Sequence, residues 1–373
     1  MKKIVFLTGT RADFGKIKSL LQILQDDEAF EPHIFATGMH MIEKYGNTVI
    51  EIEKCGFKNI YQYINHTHEA SMDLTLAKTI EGFSSYINRI KPDLIVVHGD
   101  RVEALAGALV GSLNNILVAH IEGGEISGTI DELIRHSTSK MSHVHYVSNE
   151  LAKKRLIQMG ELEASIFVIG SPDIDIMFSD TLPSLEVAKS YYDIEFEDYA
   201  IAMFHPVTTE FETMELNAME FVDALLEDDT NYVVIYPNND LGSEAIFKAY
   251  ERLVGHPRFR IFPSARFEYF LTLLKNSKFI IGNSSAGIRE TPYYGIPAIN
   301  IGTRQQNRAH HESVINTDYS KPFILAGIND ARHLSPKKED VDFGAGNSAK
   351  LFLESLNDIK VWQLSNQKQF LDL

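Results

Sequence analysis

Two stretches of this sequence end alike. VVHGDRVEAL and VAHIEGGEISG each run from a short apolar segment into a histidine and an acid two residues apart, His98 with Asp100 and His120 with Glu122. Residues two apart on a strand share a face. If both segments are strands of one sheet, Asp100 and Glu122 converge on one crevice, where buried acids are costly unless used or paired. Helix capping for Asp100 and a salt bridge for Glu122 are the plain structural alternatives, but the pattern occurs twice. The helical stretch that follows, TIDELIRHSTSKMSH, sets Asp131 four residues before Arg135 and Glu132 four before His136. Pairs of this spacing are commonly surface ion pairs. Here the helix starts directly beyond Glu122, so its first turn can reach the same crevice, with either Asp131 or Glu132 pointing inward. Carboxylates gathered in this way suit proton transfer and the stabilisation of a cation.

A second set of residues suits an anion. GTRADFGK puts Arg11 and Lys16 around a turn that opens a helix, where free N–H groups and nearby cations favour a phosphate; a solvated loop capped by Asp13 is the plain alternative. The stretch is neither a GxGxxG fingerprint nor a Walker loop, which argues against NAD and ATP. Further on, YAIAMFHPVTTE places His205 at a strand end, and YPNNDLGSE places Asn238 and Asn239 at another. FIIGNSSAGIRETPYYGIPAIN is the richest stretch. An apolar run ends, and Gly282, Asn283, Ser284, Ser285 and Gly287 open a helix suited to a pyrophosphate. Glu290 lies one turn further in, where a carboxylate can hold ribose hydroxyls. A serine N-cap with a structural glycine would explain the same residues. Arg304 and Arg308 form either a phosphate clamp or plain surface charge. No HExxH or CxxC spacing occurs, so no metal site is expected.

The elements that must position these groups follow from the alternation of short apolar runs with amphipathic stretches. KIVFLTG, HIFATG, DLIVVHG, ILVAHIEGG, VHYVS, SIFVIG and the weaker KNIYQYI read as buried parallel strands. FGKIKSLLQILQ, MDLTLAKTIEGFSSYINRI and NELAKKRLIQM read as helices between them. After Gly170 a stretch with two prolines and many acids breaks the rhythm, and alternation restarts with YAIAMFHP, YVVIYPNND, FRIFPS, KFIIGNSS and PAINIG. The expected fold class is α/β, with two doubly wound domains over residues 1–170 and 171–356, and a final amphipathic helix in VWQLSNQKQFLDL. Ligands then bind outside the carboxyl ends of the strands.

A length of 373 residues suits two domains. Lys and Arg number 35 against 51 Asp and Glu, a net charge of −16, which argues against nucleic acid or an anionic membrane as partner but not against a small anion. The single cysteine, Cys55, reads as a structural thiol and fits a reducing compartment. The N-terminus reads as a strand rather than a signal peptide, and no apolar run reaches the ~18 residues of a membrane span. A cytoplasmic protein is expected.

In their order, TGTRADFGK, HGDRVEALAGA, HIEGGEISGTIDELIRHSTSK, GSPDID, MFHPVTTE, YPNND and GNSSAGIRETPYYGIPAINIGTRQ resemble the hydrolysing UDP-N-acetylglucosamine 2-epimerases of bacterial sialic-acid synthesis. They also resemble the epimerase half of the bifunctional animal enzyme. The resemblance covers nearly the whole chain. It implies two Rossmann-like domains facing a central cleft, as in GT-B glycosyltransferases, with a C-terminal helix over about 357–373 returning to the first domain. It implies a homodimer that takes a UDP-sugar, needs no cofactor, and yields N-acetylmannosamine and UDP by elimination to a glycal and rehydration. Residue by residue, it implies that Asp100, Glu122 and Asp131 are the catalytic acids and that His205 faces them. Arg11, Lys16, Asn239, Ser284, Ser285, Gly287, Glu290 and Arg304 would contact the nucleotide. Gly15 stands where the animal enzyme has a serine, so that hydroxyl contact is absent. Alternatives are a 2-epimerase of UDP-N,N′-diacetylbacillosamine, a GT-B glycosyltransferase, and, more distantly, a sugar-nucleotide binding protein without catalysis.

Overall fold

The short Val- and Ile-rich runs become two parallel sheets in the computed structural model, which describes residues 1–65, 71–127, 130–305, 311–338 and 343–371. The first sheet has seven strands: β1 (Lys2–Thr8), β2 (Phe30–Ala36), β3 (Ile60–Gln62), β4 (Leu94–His98), β5 (Leu117–Ile121), β6 (Val144–Val147) and β7 (Ile166–Val168). Their order is β3-β2-β1-β4-β5-β6-β7. Alternate β1 residues serve opposite faces: Ile4 and Phe6 pack with Leu21 and Leu24, whereas Val5 and Leu7 pack with Phe83 and Val97. That two-sided burial is why the strand is apolar throughout rather than alternating.

The second sheet has six strands: β8 (Ala200–Met203), β9 (Tyr232–Ile235), β10 (Phe259–Phe262), β11 (Ile280–Gly282), β12 (Ala298–Ile301) and β13 (Val314–Thr317). Their order is β10-β9-β8-β11-β12-β13. All pairings in both sheets are parallel. The strand order reverses between β1 and β4 in one sheet and between β8 and β11 in the other. In doubly wound sheets, the crevice outside the strand ends at such a reversal is where ligands bind.

Contacts divide the chain into Met1–Glu125, Asp131–Thr181 and Asp342–Leu373 in one unit, and Ile126–Ile130 with Leu182–Val341 in the other. The sequence places the boundary near residue 170, but Ser171–Thr181 stay with the first unit. The reason is burial: Ser171 and Asp173 are both 0% exposed, on or beside the helix Pro172–Met177. The tail also differs from expectation. The first unit reclaims the chain from Asp342 rather than from about 357. The helix there is Ser348–Asn357, with Phe352 against Phe6 and Tyr146, and after the single turn Ile359–Trp362 the residues Gln363–Leu371 are not helical. The strand β13 has no counterpart in the sequence reading.

Candidate active site

The carboxyl ends of β4 and β5 carry the acids that the sequence singles out. Asp100 follows β4 beyond Gly99, whose φ of +73° turns the chain sharply. Glu122 follows β5 with a φ of +64°, the left-handed region that costs a non-glycine residue about 1–2 kcal/mol. Two hydrogen bonds hold it there: its N–H donates to the Tyr146 carbonyl at 2.9 Å, and the Arg135 guanidinium donates to its carbonyl at 2.8 Å. Glu122 is 4% exposed. It accepts from the Ser171 hydroxyl at 2.7 Å and lies 3.6 Å from the Lys16 ammonium and 3.5 Å from His98 Nε2. Lys16 also lies 3.3 Å from the carboxylate of Asp173.

Arg135 ties this cluster together. It stands on the helix Ile130–Met141 and is 1% exposed. One Nη pairs with the Asp100 carboxylate, and the other, besides the Glu122 carbonyl, lies 3.9 Å from Glu125. The i,i+4 spacing suggested a surface pair with Asp131, so the structure corrects that reading: Arg135 is a buried strut between two strand ends. Asp131 is half-buried in the first turn of the same helix. Glu132 is half-exposed and 3.4 Å from His136, the solvated pair that its spacing predicts.

Behind the acids, His120 is a strut rather than a proton carrier. Its Nε2 donates to the Gly99 carbonyl at 2.8 Å, so its Nδ1 accepts from the Ser139 hydroxyl at 2.8 Å. Burial lowers its pKa to about 3, and burial does the same to His40. Both rings are neutral in the folded state, whereas unfolded histidine takes up a proton below about pH 6.5. Their contribution to stability is therefore complete above pH 6.5 and is lost as pH falls toward about 3. The loss runs at about 1.4 kcal/mol per pH unit for each ring. Urea unfolding of the first unit is expected to weaken steeply between about pH 6.5 and 5, above the carboxylate range, and His120→Asn should flatten that slope. A level profile would contradict the neutral assignment.

The turn after β1 opens the helix Arg11–Gln25 through a capping box. Asp13 N–H donates to the Thr10 hydroxyl, and the Asp13 carboxylate accepts from the N–H groups of Gly9 at 3.0 Å and Thr10 at 3.3 Å. Burial raises the pKa of Asp13. Arg11 is half-buried, 4.0 Å from Glu51. Lys16, expected to contact the nucleotide, lies between Glu122 and Asp173.

In the second unit, His205 follows β8 and Asn283 follows β11, either side of the strand-order reversal. The Asn283 side chain clamps the His205 backbone, accepting from its N–H at 2.6 Å and donating to its carbonyl at 2.8 Å. His205 Nδ1 accepts from the Asn238 N–H at 3.1 Å, so the neutral ring carries its proton on Nε2. Gly282 has a φ of +136°, and a Cβ there would sit 1.9 Å from the Met203 carbonyl oxygen, so only glycine fits. Ser284 and Ser285 are half-buried, and the Ser284 hydroxyl accepts from the Ala286 N–H at 3.3 Å. The helix they open is a single turn, Ala286–Arg289. Gly287 and Glu290 are buried, and Glu290 ends that turn. Asn239 and Arg304 are half-buried, and Arg304 donates to the Asn283 carbonyl at 3.2 Å. Arg308 lies outside the described residues.

Arg135, Ser171 and Asp173 are the members that spacing alone did not mark as site residues. Asp173 and Ser171 had a signal, since both lie in the quoted GSPDID.

A family model described as UDP-N-acetylglucosamine 2-epimerase matches residues 22–357. The chain is 48% identical over 376 residues to a UDP-N-acetylglucosamine 2-epimerase of Neisseria meningitidis serogroup B, covering 100% of both. It is 33% identical over 365 residues to a UDP-N,N′-diacetylbacillosamine 2-epimerase (hydrolyzing) of Legionella pneumophila, covering 96% of each. The structure of Methanocaldococcus jannaschii UDP-GlcNAc 2-epimerase in complex with UDP-GlcNAc and UDP matches with a TM-score of 0.81, covering 96% of this chain and 99% of that one. At 22% identity this is a likeness of fold.

Proposed function

Because the chain belongs to the UDP-N-acetylglucosamine 2-epimerase family, we propose that it hydrolyses UDP-N-acetylglucosamine to N-acetylmannosamine and UDP with inversion at sugar carbon 2. The observation that carries this reading is the buried guanidinium of Arg135 joining the Asp100 carboxylate to the Glu122 backbone, with Asp131 one turn earlier on the same helix.

The proton on sugar carbon 2 is not next to a carbonyl, so it is not intrinsically acidic. Breaking the anomeric C–O bond first builds positive charge at carbon 1 and acidifies that proton. Carboxylates on the sugar side stabilise the cation and accept the proton. UDP leaves with negative charge, which donors held in place beforehand can stabilise. Arg11, Asn239, Ser284, Ser285, Gly287, Glu290 and Arg304 are assigned to the nucleotide, and His205, with its proton on Nε2, to hydrogen-bond donation. Lys16 stays with the acids, where its charge offsets Glu122 and Asp173. Elimination leaves a glycal; water adds at carbon 1, and a proton returns to the opposite face of carbon 2. No redox cofactor is needed. The product would feed sialic-acid synthesis, in keeping with a 34% identical relative from Escherichia coli named for polysialic acid biosynthesis. The active species is taken to be a homodimer, as in the family it resembles.

The Legionella relative favours one second reading, a substrate modified at sugar carbons 4 and 6. Incubation with UDP-N-acetylglucosamine alone decides between them by proton NMR. Free N-acetylmannosamine is the expected product. Turnover confined to UDP-N,N′-diacetylbacillosamine would establish the second reading, and release of N-acetylglucosamine alone would make the enzyme a simple hydrolase.

A further inference from the structure

One buried ionic cluster of the first unit has no part in that chemistry. Glu161 is 1% exposed and lies 3.0 Å from His145 Nε2 and 3.1 Å from the Lys140 ammonium. It also pairs with Lys368, which stands on the non-helical segment Gln363–Leu371. Burial pushes the Glu161 pKa up, but His145 and Lys368 outweigh it and hold the group at about 2, so the carboxylate stays ionised. The same Lys368 ammonium donates to the carbonyls of Ser142 at 2.6 Å and Lys140 at 2.9 Å. Those carbonyls end the helix Ile130–Met141, where unsatisfied C=O groups and the helix dipole favour a cation.

The segment is pinned beside Lys368 as well. His143 Nε2 donates to the Asn366 carbonyl at 3.1 Å, and Asn366 and Gln367 donate to the backbone and side-chain oxygens of Asn115 at 2.8 and 2.6 Å. The helix closed by Lys368 carries Asp131 in its first turn and Arg135 in its second. Glu161 thus anchors the last residues of the chain to the helix that braces Asp100 and Glu122. Its partner His145 lies in β6, in register with His120 of β5, whose ring holds the Gly99 carbonyl beside Asp100.

We propose that Lys368 is a positioning residue: the C-terminal strap fixes the axial position of helix Ile130–Met141, and the acids are in working geometry only when the strap is seated. The idea rests on the proposed reaction, and it places a determinant of turnover in a segment remote in sequence from every acid. A small displacement of a group that holds reacting residues can cost up to about 10²-fold in rate.

The test uses full-length protein carrying Lys368→Met, Lys368→Arg, or Asn366→Ala with Gln367→Ala. Lys368→Met is expected to lower kcat by about tenfold or more while KM and UDP affinity stay within about twofold. Lys368→Arg should recover at least about half of the lost rate, since a cation again reaches Glu161 and the helix end. The double variant, confined to exposed side chains, should lower kcat by about threefold with KM unchanged. A Lys368→Met enzyme within about twofold of wild-type kcat, a loss confined to KM, or an Arg variant no better than Met would overturn the proposal. If Lys368→Met does not fold, the double variant decides, and an unchanged kcat there overturns it. Wild-type protein inactive on UDP-N-acetylglucosamine would sink the reaction assignment instead. The strap would then be judged by amide exchange across Leu133–Met141: faster exchange in the double variant supports it, and unchanged exchange overturns it.

Discussion

Asp100→Asn, Glu122→Gln and Asp131→Asn are each expected to lower kcat by about 10²-fold or more, with UDP affinity nearly unchanged. The substitutions keep shape and remove charge. Asp100 and Glu122 end adjacent strands of the first sheet, and Asp131 sits in the helix whose Arg135 joins them. In the proposed chemistry they act on the sugar ring, where charge appears only as the anomeric bond breaks, so the loss falls on turnover. Arg304→Ala supplies the contrast: its guanidinium stands with Asn283 in the second unit, and the variant should weaken UDP binding. Calorimetry with UDP beside steady-state kinetics separates the two groups. Collapse of UDP binding in the acid variants would move those residues onto the nucleotide and defeat the assignment.

Replacing Arg135 should cost both rate and stability. Arg135 is 1% exposed, and its guanidinium serves the Asp100 carboxylate and the Glu122 carbonyl with separate nitrogens. Arg135→Met strands the carboxylate beside a low-dielectric interior and releases the carbonyl that stabilises a left-handed backbone. The Asp100 side chain keeps 23% exposure, so the stability loss falls below the about 3–5 kcal/mol of a fully buried pair, and misplacement of two acids together warrants a fall in kcat of about 10²-fold or more. Arg135→Lys is expected to rescue little, because one ammonium cannot reproduce the planar fork. Urea unfolding and kinetics on both variants check this. A lysine variant of near wild-type rate would mean that charge alone matters and that the forked geometry does not.

Much of this site is legible in the sequence because parallel strands are apolar until they stop. His98, Asp100, Glu122, His205 and Asn283 all stand where a Val- or Ile-rich run gives way to glycine or polar residues, and in doubly wound sheets those points are ligand positions. Arg135 escapes the same reading because its i,i+4 spacing from Asp131 is also that of an ordinary surface pair. Spacing cannot tell which way a helix is turned. The neighbours of Lys16 escape for a related reason: the buried Asp173 beside it comes from beyond the expected domain boundary. β13 has only partial burial at a sheet edge, so it lacks the continuous apolar run that marks the other strands. The tail misleads most. VWQLSNQKQFLDL has helical spacing, yet its polar residues Asn366, Gln367 and Lys368 bond to the first unit in a non-helical strap, and tertiary contacts override a weak local pattern.

The most direct test of the central claim is to run the reaction on UDP-N-acetylglucosamine in ¹⁸O-labelled deuterated water and examine both products by NMR and mass spectrometry. Elimination followed by rehydration places ¹⁸O at carbon 1 of free N-acetylmannosamine, one deuteron at carbon 2, and no label in UDP. Label in UDP would mean attack at phosphorus, and a product without deuterium at carbon 2 would mean that no exchangeable proton was taken there; either result contradicts the account.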